Sequence, residues 1–210
     1  MAKAHKLEFD GLRLVAGHPA LDFVNSVKYR GGAEPGDRVT TYAALVNWAE
    51  FAGVIDTSTA SEFRRLASLK PGAASSAQTE IIILREAFRS LLPPLVEDEH
   101  AIQEAEAILT SVLREVAKYR QIDPASLSLV AKLPVQRPSD LLLWIGLTLE
   151  DFMLRDPKHE VGCCDGCDCD WVFLRGTRGP ARRWCDSRTC GNAERVRQYR
   201  LNQHSGSAKT

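Results

Sequence analysis

Residues 163–192 read Cys163-Cys164-Asp165-Gly166-Cys167-Asp168-Cys169-Asp170-Trp171-Val172-Phe173-Leu174-Arg175-Gly176-Thr177-Arg178-Gly179-Pro180-Ala181-Arg182-Arg183-Trp184-Cys185-Asp186-Ser187-Arg188-Thr189-Cys190-Gly191-Asn192. All six cysteines of the 210-residue chain lie in this stretch. Two pairs share one spacing, Cys164-x4-Cys169 and Cys185-x4-Cys190, with fifteen residues between them. Zinc takes four thiolates at tetrahedral corners, so two short-range pairs must be brought together by the segment that joins them. Trp171 to Leu174 alternates as a strand, Gly176 to Gly179 supplies a turn, and Ala181 to Trp184 is expected to return as the second strand. A helix is expected from about Thr189 to Asn202. Knuckle, hairpin, knuckle and helix are too small to bury a core of their own, so the metal must hold them. Six thiols compete for four places. Cys164-x2-Cys167 also has ligand spacing, Cys163 can replace Cys164, and His159 and His204 are further candidates.

Working outward, charge divides the chain as sharply as cysteine does. The net formal charge is zero, yet residues 1–160 hold 18 Lys/Arg against 22 Asp/Glu, and residues 161–210 hold 9 against 5. Between Trp171 and His204 eight arginines face only Asp186 and Glu194. A basic module on a mildly acidic domain points to a polyanionic partner that a neutral average conceals. Arg182, Arg183, Arg188, Arg195, Arg197 and Arg200 are the candidate DNA-binding residues, since arginine grips phosphate and reads guanine bidentately. Arg197 and Arg200 lie three apart and share a helix face, whereas Val196 and Tyr199 are expected to pack on the hairpin.

The remainder reads as helical. Gly17 to Ser26 starts a helix with Pro19 in its first turn, after a possible hairpin or extended entry at 7–16. Residues 30–38, rich in glycine and proline, read as loop. Helices are expected at about 41–52 (ended by Gly53), 58–68, 75–92, 98–119 and 139–155, with a short strand at Leu127–Val130. The last of these helices is apolar nearly all round and belongs at the centre of a core. Its longest apolar run, Leu141 to Leu149, is far short of the roughly 20 residues a membrane span needs. With no secretory signal, a cytoplasmic protein is expected. The fold class is therefore mainly α: an orthogonal helical domain over 1–158, a zinc-held hairpin and helix module over 159–204, treble-clef-like or ribbon, and a disordered tail at 205–210.

Two further expectations concern small molecules. Asp22, Asn25 and Arg85, with Trp48 as an aromatic wall, could orient a polar effector. They could equally form a buried network in which Asp22 pairs with Arg85 and pins the helices. Catalysis is not expected: four sulfurs leave a metal no open position, and no Gly-rich phosphate loop, His-Glu-x-x-His or nucleophile elbow is present.

Cys-x4-Cys-x-Trp-x-Phe followed by Arg-Arg-Trp-Cys-x4-Cys-Gly-Asn resembles the CGNR zinc finger. The preceding part resembles the ABATE domain that accompanies this finger in bacterial proteins, through Leu21-Asp22-Phe23-Val24-Asn25-Ser26, Trp48 with Gly53, and Leu84-Arg85-Glu86-Ala87. The resemblance selects Cys164, Cys169, Cys185 and Cys190 as the zinc ligands and leaves Cys163 and Cys167 as extras. It implies a stress-induced transcription regulator with a sensor-like helical domain and a DNA-binding finger; homodimerisation is a second role open to the helical domain. A protein-interaction adaptor and a thiol-based redox sensor are the competing classes. One departure stands out: where the family has arginine after Gly-Asn, this chain has Ala193.

Overall fold

The computed structural model describes residues 8–9, 12–28, 36–96, 99–155, 160–166, 168–176 and 181–206, with backbone alone at 8–9, 12 and 204–206. Outside the described residues lie His159, Cys167, Arg178, most of the expected 30–38 loop, and residues 207–210. Among the described residues, seven α-helices run in the order α1 Pro19–Val24, α2 Tyr42–Phe51, α3 Thr57–Leu69, α4 Pro71–Ser90, α5 Glu99–Ala117, α6 Leu141–Leu154 and α7 Cys190–Gly206. Three antiparallel strand pairs accompany them: β1 Glu8–Phe9 with β2 Leu12–Arg13, β3 Arg120–Asp123 with β4 Ser128–Ala131, and β5 Val161–Cys163 with β6 Val172–Leu174.

Local chemistry sets the helix ends. The Thr41 hydroxyl accepts from the Ala44 N–H at 3.1 Å, and the Asp56 carboxylate accepts from the Thr59 N–H at 2.8 Å, each satisfying a donor that the first helical turn leaves unpaired. After α2 the chain turns at Gly53 with φ +73°, a conformation that costs a side-chain-bearing residue 1–2 kcal/mol (roughly) and glycine nothing. Pro71 opens α4 instead of merely ending α3, because a first-turn position needs no N–H. The expected single strand at Leu127–Val130 is one arm of a hairpin, with Ile122 opposite Leu129.

Within the helical half, α4 packs against α1, α2, α3, α5 and α6 and is the hub of the core. Trp48 is fully buried and lies against Phe23, ring centroids 4.9 Å apart. As expected from its all-round apolarity, α6 is central, burying Leu141, Leu143, Ile145, Leu149 and Phe152. It approaches α5 so closely at Gly146 that a Cβ there would sit 2.7 Å from Val112 Cγ1. Each large side chain so buried contributes about 1.5–3 kcal/mol.

The strand partner of β6 corrects the sequence expectation. Val172–Leu174 pairs with Val161–Cys163, and not with Ala181–Trp184. The reason is visible in the alternation of backbone groups along β6. One edge serves β5 and the knuckle, with the Cys164 N–H donating to Trp171 O at 2.9 Å. The other edge is taken by the helical half: Leu174 N–H donates to Ala16 O at 2.8 Å, and the Asn25 amide exchanges two 2.8 Å bonds with the N–H and C=O of Val172. Residues 181–184 find no free edge and run as irregular backbone.

Candidate metal centre

The β5–β6 ladder folds Cys164 and Cys169 into a tight knuckle, closed by the Cys169 N–H on Gly166 O at 3.1 Å. Cys185 follows irregular backbone held by Arg182, and Cys190 opens α7. The sulfurs of Cys164, Cys169, Cys185 and Cys190 all lie within 4.8 Å of one another. Cys169 to Cys185 is 3.7 Å and Cys185 to Cys190 is 3.6 Å. A tetrahedron with metal–sulfur bonds of about 2.3 Å has edges of about 3.8 Å, whereas a disulfide requires about 2.05 Å. The spacing is that of ligands around an ion.

The donor chemistry agrees. Hydrogen bonds from the Cys169 and Cys185 thiols pull Cys164 far below the usual thiol range, while the negative Cys164 sulfur pushes Cys169 and Cys185 up, helped by burial. Packed this tightly, four thiols cannot all ionise without a cation among them, and a soft divalent ion supplies that charge. The N–H groups of Cys185 and Gly166 point at Cys164 Sγ from 3.3 and 3.5 Å, and such second-shell bonds orient the sulfurs. Gly166 keeps this space open: a Cβ would stand 3.3 Å from Cys190 Sγ, a tight contact. Cys163 is not in the cluster; its thiol faces Asp170 O at 3.7 Å.

The six arginines singled out for DNA fall into two groups. Arg182 and Arg195 are structural. Arg182 lies 4.3 Å from the Phe173 ring centroid and donates to the carbonyls of Trp184 and Val15, at 2.9 and 2.8 Å, and to that of Cys185. Arg195 donates to Gly191 O and Ser187 O at 3.1 and 2.9 Å. Arg183, Arg188, Arg197 and Arg200 are exposed, as is Arg195 despite its carbonyl partners; Arg183 pairs with Asp165 and Arg197 with Glu194, both at 2.8 Å. Val196 and Tyr199, expected on the hairpin, are instead 42% and 65% exposed.

Asp22, Asn25, Trp48 and Arg85 are all buried but are not brought together as one polar site. Arg85 pairs with Asp37 at 2.7 Å and with Ser26 Oγ at 2.9 Å, not with Asp22. Asp22 instead accepts from the Ala16 N–H at 3.0 Å, and burial pushes its carboxyl up to about 7, against the pull of that bond. Asp37, held by Arg85 and by the Val39 N–H, stays below the usual carboxylate range despite burial. Sequence reasoning missed the ties between the halves: Asn25 on Val172, the ion pair of Arg13 with Asp186, and Arg89 on Asp170 at 3.4 Å. Asn25 was marked by its motif, but its partner is 147 residues away and left no local signal.

Comparison with family models matches residues 17–147 to ABATE, described as "Putative stress-induced transcription regulator", and residues 161–203 to the CGNR zinc finger. Comparison with curated proteins finds no match. An ABATE domain followed by a converged four-cysteine cluster within a CGNR segment leaves one assignment: the chain belongs to the ABATE family and ends in a CGNR zinc finger.

Proposed function

We propose that this is a non-catalytic, DNA-binding regulator of transcription, whose finger is held by one structural zinc ion and whose helical half senses a signal or mediates dimerisation. Cys164, Cys169, Cys185 and Cys190 are the zinc ligands. Four sulfurs fill a tetrahedral shell and leave no position for a reacting water, which is structural metal chemistry.

The observation that carries the DNA reading is α7. It is 17 residues long, about 25 Å, and from Asn192 to Gln203 every residue but Glu194 is exposed. It has no apolar stripe to hold it against a core. It presents Arg197 and Arg200 with Gln198, Asn202 and Gln203, the side chains that pair with guanine and adenine edges. A helix of this width fits the major groove, and Arg183 and Arg188 flank its start for phosphate contacts.

Arg188→Ala with Arg200→Ala tests this, because both side chains are exposed and the metal site is untouched. The salt dependence of DNA affinity should flatten by about two in the logarithmic slope, with zinc content unchanged. An unchanged slope would reject the reading. It would favour a docking surface for another protein, to which the exposed Val196, Tyr199 and Leu201 on the same helix are suited.

A further inference from the structure

Between the helical half and the finger lies a cavity of about 330 Å³, within the range of roughly 300–1,000 Å³ that small ligands fill, and at the kind of junction where they bind. Neither Asp22 nor Arg85 contributes to its wall. The helical half supplies Lys28 and Arg38, and the finger supplies Trp171, Ala193 and Arg197. We propose that this cavity binds a small organic anion with a flat apolar body, such as an aromatic carboxylate or sulfonate.

The shape of the body follows from the wall. Trp171 offers an aromatic surface, with the Arg38 guanidinium 5.9 Å from its ring centroid. On α7 the small Ala193, one helical turn from Cys190, lines the open side of the cavity, where a longer side chain would take up space. The charge follows from the cations. Arg13, Lys28, Arg38 and Arg197 line the cavity against Asp168 and Glu194. Arg13 is answered by Asp186 and Arg197 by Glu194, whereas Lys28 has no ion pair among the described residues. An anionic head at Lys28 and Arg38 pairs the ammonium in a partly desolvated place, where such a contact is stronger than in water. The rival explanation is that these cations serve the metal centre, since Cys169, Cys185 and Cys190 form part of the same wall and four thiolates around zinc carry excess negative charge. Lys28 then governs zinc retention and not ligand binding, and the two are separable by measurement. Because α7 forms one wall, an occupant touches the proposed DNA-reading helix. That consequence rests on the function proposed above; the binding itself does not.

The test uses the full zinc-loaded chain and the fluorescent anion 8-anilinonaphthalene-1-sulfonate, with the uncharged N-phenyl-1-naphthylamine as control. The sulfonate dye should bind one per chain, at least tenfold more tightly than the neutral dye, and benzoate should displace it. Ala193→Phe, which fills the cavity, and Lys28→Glu, which reverses its charge, should each weaken the sulfonate at least tenfold with zinc content unchanged. Absence of saturable binding, equal affinity for the two dyes, or indifference to both substitutions overturns the proposal. So does a Lys28→Glu effect that appears only as lost zinc. None of these outcomes alters the salt slope that tests DNA binding, so the two ideas fail separately.

Discussion

Asp22 sits at 4% exposure with its carboxyl pushed up to about 7 by burial. A carboxyl whose folded value lies above its unfolded value of 3.8 binds a proton more tightly in the folded chain. Folding stability at this site is therefore highest below about pH 4, falls as pH rises towards 7, and is level above it. Asp22→Asn keeps the acceptor for the Ala16 N–H and removes the charge. Relative to wild type it should be neutral near pH 4 and stabilising by a few kcal/mol at pH 8, read from denaturant unfolding at both values; the same difference at both would reject the account. Asn25 acts in the opposite sense. Asn25→Ala strips Val172 of two 2.8 Å partners in a buried setting and should cost about 1–3 kcal/mol per group left unpaired. At this scale the sequence was legible in part. The motif around residues 21–26 marked Asp22 and Asn25 as unusual polar residues among apolar neighbours, but their partners lie on distant segments that no local pattern names.

Helices announced themselves well where periodicity and caps agreed. Gly53, expected to end α2, stands just past it with a positive φ, and the all-round apolarity of α6 correctly placed it in the core. Strands were harder. Hairpin logic assigned β6 to its nearest following partner, whereas its edges are claimed by β5 and by the helical half, a competition settled by tertiary contacts. The helix contact at Gly146 gives a test at this scale. Alanine normally gains about 1 kcal/mol over glycine inside a helix, but here the added methyl meets two branched valines, one at 2.7 Å. Overpacking of this kind costs about 1–3 kcal/mol, so Gly146→Ala should lower the unfolding midpoint. A raised midpoint would mean that α5 and α6 sit further apart.

The finger is not an appendage on a tether. Its central strand is completed by Asn25 and the Ala16 carbonyl, and Arg13, Arg89 and Arg182 carry further contacts across. Loss of the metal is thus felt beyond the cysteines. On chelation the amides of Val172 and Leu174, bonded to the helical half, should lose hydrogen-exchange protection, while those of α4 at the hub of the core keep theirs. Loss of protection confined to α7 would instead mean that the knuckle persists without metal. The cysteine spacing made the cluster readable from sequence, because metal ligation demands short-range pairs. The cavity between the halves was unreadable, because its walls come from segments more than 100 residues apart.

Everything proposed for the finger depends on a single zinc ion held by Cys164, Cys169, Cys185 and Cys190. X-ray absorption at the zinc edge, on the full chain with metal content measured, tests this directly. One zinc per chain with four sulfur neighbours at about 2.3 Å is the predicted result, and Cys185→Ser should abolish it while Cys163→Ser leaves it intact. A shell containing nitrogen or oxygen, or retention of the four-sulfur signal in Cys185→Ser, would contradict the assignment.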